Sequence, residues 1–370
     1  MSERWTWVLP RLPPQYSIND YTRELLFGRL AKRIDPETVW LDYRRPLLSK
    51  YAALPAFIRL SRRRGPFHLD AVHLPLLALV RLRRSVVTIY DLCPSLHPEL
   101  YPCSPPERLD AVLARRGARN VDAIVTVSRF QKEELARPLP FPRERIFAAN
   151  MSIDHGLYRP APPEERERLR RELRERHRIA ADEALLLHLG NWQPRKNVPG
   201  LLRALRRLLD RGRRVRLLIR RYGDLRRIWR EPVERAVAEL GLDGAIAWLP
   251  PLDDPRLRAP LYQAADVLVF PSFYEGFGLP PQEAMGAGCP VVASSAASLP
   301  EVVGEAAILV PPGDAEALAD AVESVLDDAA LRAELVRRGR EQVRRFTWDA
   351  AIPAHLAAYE VVDSRIRRAR

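Results

Sequence analysis

Two glutamates, Glu275 and Glu283, are separated by seven residues in the string Glu-Gly-Phe-Gly-Leu-Pro-Pro-Gln-Glu. An ionised carboxylate only accepts hydrogen bonds, so each could hold the hydroxyls of a sugar. Gly276 and Gly278 let the chain turn sharply or approach a ligand closely. Pro280 and Pro281 suit the first turn of a helix, where a missing N–H costs little, and this places Glu283 in that first turn. Backbone N–H groups at such a helix start form a seat for a phosphate. Taken singly, Glu283 is explained as well by the helix dipole, which favours an acid in a first turn. A capping box does not explain it, because Pro280, three residues earlier, has no capping side chain. A second string, Gly190-Asn191-Trp192-Gln193-Pro194-Arg195-Lys196-Asn197, follows another apolar run. A glycine after a strand, then cations before a helix, is a phosphate-binding arrangement.

The elements around these strings alternate. In the second half, residues 184–189, 215–219, 245–249, 266–270 and 290–293 read as short buried strands. Helices are expected over 198–210, 256–264, 315–327, 330–345 and 348–370, with Gly286 and Gly288 ending the helix that carries Glu283. In the first half, strands are expected over 5–10, 39–43, 69–74, 85–92 and 123–127, with a further one leading into Asn150. Helices are expected over 21–32 and 51–60, and after Ser128, a good N-cap. Strand–helix alternation argues for parallel, doubly wound sheets. Residues 160–165, rich in proline and acid, read as a linker. The expected domains are 1–160 and 161–347, with the helix 348–370 returning to complete the first.

Taken together, the two strings closely resemble the donor-site signature of retaining GT-B glycosyltransferases of family 4. The resemblance is tight over residues 146–360 and loose before about Val86. It implies an α/β GT-B fold, with two Rossmann-like domains facing across a cleft. It also implies a nucleotide-diphosphate sugar as co-substrate, with retention at the anomeric carbon. Carried over residue by residue, it assigns Glu275 to the sugar hydroxyls, Arg195 and Lys196 to the diphosphate, and Glu283 to the ribose. Gly190, Asn191, Gly276, Phe277, Gly278 and Leu279 complete the donor side. Asp91 is the candidate contact to an acceptor hydroxyl.

The chain also departs from the family pattern. Relatives place two glycines in the first loop, where this chain has Tyr16 and Asn19 within 15–21 and no glycine. Relatives show His-Asp where this chain has Tyr90-Asp91; His73 and His97 are candidates to supply the missing imidazole, although each is explained more simply as a loop or core histidine. Asn191, Met151 and Pro250 replace an arginine and two glycines of the pattern. The form of the motifs is most like bacterial mannosyltransferases of surface polysaccharide assembly. GDP-mannose is therefore the expected donor, with UDP-glucose next, and a glycan or lipid-linked saccharide the expected acceptor. No Asp-X-Asp closes a strand, and the cations and helix start need no metal or other cofactor. A sugar-nucleotide epimerase or a non-catalytic glycan-assembly protein on the same architecture remain alternatives.

Composition narrows the remaining classes. The chain has 370 residues, 47% hydrophobic, and a formal net charge of +13. The length suits two domains. No apolar run reaches the length of a membrane span, and residues 1–10 lack a signal-peptide core. Three scattered cysteines, Cys93, Cys103 and Cys289, make neither a disulfide scaffold nor a zinc site, and suggest the cytoplasm. The positive charge is interleaved with acids and carries no nucleic-acid motif, so nucleic acid is not an expected partner. Arg62 to Arg64, with Arg81, Arg83 and Arg84, are candidates for peripheral contact with an anionic membrane at its inner face.

Overall fold

The computed structural model describes residues 4–11, 21–42, 53–63, 65–82, 84–137, 141–222 and 226–369. The chain divides into two compact units, Met1–Met151 with Thr347–Arg370, and Ser152–Phe346. Each is built on a six-stranded sheet in which every pair is parallel.

The first unit contains β1 (Thr6–Arg11), β2 (Glu37–Asp42), β3 (Phe67–Asp70), β4 (Ser85–Ile89), β5 (Ala123–Thr126) and β6 (Ile146–Ala148), in the order β2-β1-β3-β4-β5-β6. β3, β4 and β5 are buried at every position, as expected of parallel strands covered on both faces. The helix Trp348–Ala369 belongs to this unit. Tyr359 packs against Trp5 with ring centroids 3.9 Å apart, and its hydroxyl lies 2.5 Å from Nδ1 of His68. Nε2 of His68 lies 2.8 Å from Oγ1 of Thr88, so the helix is tied to β3 and β4 through one buried imidazole. Both His68 nitrogens meet hydroxyls, which explains how a fully buried polar ring is tolerated.

Several expectations need correction here. Residues 69–74 are not a strand: β3 ends at Asp70, the chain makes a tight turn over Ala71–His73, and the helix Leu74–Leu79 follows. The Asp70 side chain accepts from the Val72 N–H at 2.9 Å and caps the turn, and Pro75 starts the helix. A short apolar run does not by itself distinguish a buried strand from a buried helix. The helix Pro105–Gly117 is a further element, unread from the sequence although Ser104 and Glu107 form a capping box at its start. Its last residue, Gly117, is needed for space: a Cβ there would fall 1.8 Å from the carbonyl oxygen of Leu74. Residues 163–165 are not linker but the first turn of the helix Pro163–His177, where proline and two acids suit a helix start.

The second unit contains β7 (Ala184–His188), β8 (Val215–Arg220), β9 (Ile246–Leu249), β10 (Val267–Phe270), β11 (Val291–Ser294) and β12 (Ile308–Val310), in the order β12-β11-β10-β7-β8-β9. Val198–Asp210 and Ala315–Asp327 form helices with the expected bounds. Leu201, Leu202, Leu205 and Leu208 recur at helical spacing and bury one face of the first against β7 and β8 residues such as Leu186 and Leu217. The decisive feature is the direction of winding. From β7 the sheet grows one way through β8 and β9, and the other way through β10, β11 and β12. The order therefore reverses between β7 and β10, and ligands of such sheets bind beyond the C-terminal strand ends at this point. The two strings singled out above are the segments that leave β7 and β10.

Candidate active site

Leaving β7, the chain passes Gly190 and makes a tight turn over Pro194–Lys196. Asn197 then adopts a left-handed conformation, φ 52°, which asparagine tolerates better than most residues. Its side chain caps the next helix by accepting from Gly200 N at 3.2 Å, and its Nδ2 donates to the Pro271 carbonyl at 3.2 Å. The Phe273 N–H donates to the Arg195 carbonyl at 2.7 Å. These bonds lock the loop after β7 to the loop after β10.

Three charged side chains meet where the loops join. Lys196 Nζ donates to Glu275 Oε1 at 2.6 Å, and Arg195 Nη1 donates to Glu275 Oε2 at 2.9 Å. Arg195 Nη1 also reaches the Tyr274 carbonyl at 3.1 Å, and its Nε donates to Gln193 Oε1 at 2.9 Å. Glu275 and Lys196 are buried, at 6% and 7% exposure. Burial alone would raise the Glu275 carboxyl, but the Lys196 ammonium and the Arg195 guanidinium overcome it and hold the group down at about 2. The cluster thus keeps one positive charge in excess, with a fixed carboxylate between its two cations. Ser298 Oγ donates to the carbonyls of Glu275 and Phe277, at 2.9 and 2.7 Å, and clamps the glycine loop. Gly278 has φ 112°, closed to other residues, and caps the helix Leu279–Ala287. Of the four N–H positions a helix start leaves without an intrahelical partner, here 278 to 281, the two prolines remove two, so those of Gly278 and Leu279 remain.

Glu283 is the correction to this picture. It is the fifth residue of its helix rather than part of the first turn, so the helix dipole does not account for it. Its carboxylate is held by the preceding helix, Pro255–Ala264: Arg258 Nη2 donates to Oε1 at 3.1 Å and the Tyr262 hydroxyl to Oε2 at 2.7 Å. Arg258 also donates to the Tyr158 hydroxyl at 3.2 Å. Burial and the Glu283 charge together push both phenols up, so they remain donors. Burial would lower the Arg258 guanidinium, but Glu283 keeps it charged. Glu275 and Glu283 therefore belong to two separate hydrogen-bonded clusters.

Residues 170–342, which carry both glutamates, match the family described as Glycosyl transferases group 1. The chain is 33% identical over 284 residues to O-antigen chain mannosyltransferase B of Escherichia coli, covering 76% of this chain and 71% of that one. The chain belongs to the group 1 glycosyltransferases. It is also 32% identical over 259 residues to MMP alpha-(1->4)-mannosyltransferase of Mycolicibacterium hassiacum, covering 69% of this chain but only 57% of that relative. Among solved structures, sucrose-phosphate synthase of Thermosynechococcus elongatus superposes with a TM-score of 0.77 at 21% identity, over 98% of this chain and 100% of that one. That likeness is one of fold, the two-sheet GT-B class expected from the sequence.

Of the residues expected on the acceptor side, Tyr16 and Asn19 lie outside the described residues. His73 is fully buried, with Nδ1 3.1 Å from the Asp70 carbonyl and its ring 5.5 Å from that of Phe57. His97 lies between two acids, with Nε2 2.6 Å from Glu134 Oε1 and Nδ1 3.3 Å from Glu99 Oε1. Tyr90 and Asp91 follow the C-terminal end of β4; Asp91 Oδ1 accepts from Cys93 N at 3.3 Å. The Tyr90 hydroxyl bonds the carboxyl of Asp70, a residue sequence reasoning passed over. Burial raises Asp70 to about 7, against the opposing bonds from Val72 N–H and Tyr90. Among the described residues no group of three His, Cys, Asp or Glu is arranged to hold a metal ion. Arg258, Tyr262 and Tyr158 were likewise not singled out. Arg258 and Tyr262 lie on a helix other than that of Glu283 and Tyr158 on a loop, so only packing brings the three to Glu283 and no local spacing signals them.

Proposed function

We propose that this glycosyltransferase transfers mannose from GDP-mannose to a glycan or lipid-linked saccharide, with retention at the anomeric carbon. The observation that carries the reading is the Lys196–Glu275–Arg195 cluster at the reversal of strand order, an anion site with a built-in carboxylate. As the bond to the anomeric carbon breaks, negative charge builds on the departing β-phosphate. Arg195, Lys196 and the N–H groups around Gly276 to Leu279 are preorganised donors for that charge. Glu275, ionised throughout the working pH range, accepts from the hydroxyls of the donor sugar. Glu283, with lone pairs beyond those used by Arg258 and Tyr262, accepts from the ribose. Asp91 contacts the acceptor hydroxyl, whose proton passes to the leaving phosphate. The charge balance of this scheme needs no metal.

Mannose is favoured because the two curated relatives above are named as mannosyltransferases. Among the described residues no helix is long and apolar enough to cross a membrane. Arg62, Arg63 and Arg81 are exposed and suit peripheral attachment to an anionic surface, where a lipid-linked acceptor would lie. The test is a thermal-shift panel of GDP, UDP, ADP and their sugars without metal, followed by transfer assays. A selective rise with GDP and GDP-mannose, and mannosyl product, are expected. A selective rise with UDP instead would refute the donor assignment, and no rise with any nucleotide would refute the donor site.

A further inference from the structure

His188, the last residue of β7, does not take part in the ion pairs of the donor cluster. It is fully buried, its ring stacks on Phe270 with centroids 5.9 Å apart, and its Nδ1 lies 2.9 Å from the Val269 carbonyl oxygen of β10. A carbonyl only accepts, so Nδ1 carries the proton and Nε2 presents a bare lone pair. Among the described residues Nε2 has no hydrogen-bond partner. A buried acceptor left unmatched is destabilising, and this one stands where the strand order reverses.

The space beside that nitrogen is made by Gly190. A Cβ added there would lie 3.1 Å from His188 Nε2 and 3.7 Å from Lys196 Cδ. Gly190 is not among the glycines with positive φ, so the backbone does not demand a glycine at this position. With no side chain at Gly190 the imidazole lone pair is left uncovered on the side of the Lys196 stem, and the Lys196 ammonium also faces the Phe270 ring at 5.2 Å.

The chemistry of the missing partner is narrow. A neutral lone pair repels a phosphate oxygen. Protonating the ring to attract one would place a second cation beside Lys196 in a buried site, and burial already pushes the imidazole down to about 4. The partner is therefore a neutral hydrogen-bond donor, and the hydroxyls are the most numerous neutral donors on a nucleotide sugar. We propose that His188 Nε2 accepts a hydrogen bond from one hydroxyl of the bound nucleotide sugar, reached over Gly190, and so selects donors that carry that hydroxyl. The proposal rests on the nucleotide-sugar reading above.

The experiment uses the full chain and His188→Phe, which keeps the stacking and removes the lone pair. Donors are GDP-mannose, UDP-glucose and ADP-glucose, then monodeoxy analogues, at each hexose and ribose position, of whichever donor the wild type uses. The kcat/KM of His188→Phe on the parent donor is expected to fall roughly tenfold or more, because a site built for a hydroxyl discriminates strongly. One monodeoxy donor should cost the wild type a similar factor and cost His188→Phe nothing further. His188→Gln, whose amide oxygen can approach the Nε2 position, should recover part of the rate. Unchanged kcat/KM in His188→Phe overturns the proposal, as does an equal loss on every deoxy donor, which would indicate bound solvent or a packing defect. If His188→Phe does not fold, His188→Leu carries the same comparison. A wild-type protein that turns over none of the three donors overturns the nucleotide-sugar reading itself, and the proposal with it.

Discussion

Replacing Lys196 with methionine removes a buried charge while keeping the length of the side chain. Glu275 would be left to Arg195 alone. The Glu275 carboxyl lies at about 2 in the folded protein against an ordinary value of 4.5. Each tenfold step in a protonation equilibrium is ~1.4 kcal/mol, so ionisation of Glu275 contributes about 3 kcal/mol to folding at neutral pH. Lys196 supplies the larger share, and Lys196→Met should cost about 2 kcal/mol at pH 7. The folded value lies below the unfolded one. The contribution is therefore complete above about pH 4.5 and is lost as the pH falls towards 2. In the variant, Glu275 regains its proton at higher pH, so the penalty should shrink as the pH drops from 7 to 3. It should also shrink on a Glu275→Gln background, where there is no carboxylate to strand. Urea unfolding of the four proteins of this cycle, at pH 7 and at the lowest pH where wild type stays folded, measures both effects. A penalty equal on both backgrounds and unchanged with pH would show that Lys196 stabilises by packing against Phe270, and would refute the electrostatic account.

Glu275→Ala is expected to abolish transfer while circular dichroism shows an intact fold; turnover at the wild-type rate would remove Glu275 from the site. Glu283→Ala should weaken nucleotide affinity in a direct binding titration, together with thermal stability, since Arg258 loses its buried counter-ion. A change confined to the acceptor's apparent affinity would contradict the ribose assignment. Gly278→Ala meets both a φ of 112° and a Cβ contact of 2.9 Å with Leu299 Cδ2, and should lower stability by at least ~1 kcal/mol in a thermal melt. Gly117→Ala should be worse tolerated, because the obstacle there is backbone, and soluble expression at wild-type level would show that the two helices can separate.

The Lys196–Glu275–Arg195 cluster was largely legible because its parts are local. Gly190 to Asn197 and Glu275 to Leu279 each lie on one loop, and the hydrophobic spacing of Val198–Asp210 marks the helix that follows the first. The partners of Glu283 were not legible, because Arg258 and Tyr262 come from a different helix and only packing brings them together. The proximity of Asp70 to Tyr90 depends likewise on β3 lying beside β4. His188 read as one more residue in an apolar strand; only the hydrogen bond to Val269 identifies its tautomer and leaves Nε2 open. The misread stretch around Leu74 shows the limit of periodicity, since a run as apolar as Leu74–Leu79 is buried whichever way it is folded. Pro105–Gly117 shows the opposite case, a helix whose opening prolines obscured a capping signal that was present.

The bond between Tyr359 and His68 bears on how the protein is made. β1 to β6 are translated early, yet Trp5, His68 and Thr88 find their last partner only in a segment that follows the whole second unit. The second unit is contiguous in sequence and can fold as soon as it leaves the ribosome. The first must wait, with part of its apolar surface uncovered, for about two hundred further residues to be synthesised. Its nascent form is thus the stage of biosynthesis at which a chaperone has most to shield, and a ribosome stalled short of Tyr359 would leave that surface bare.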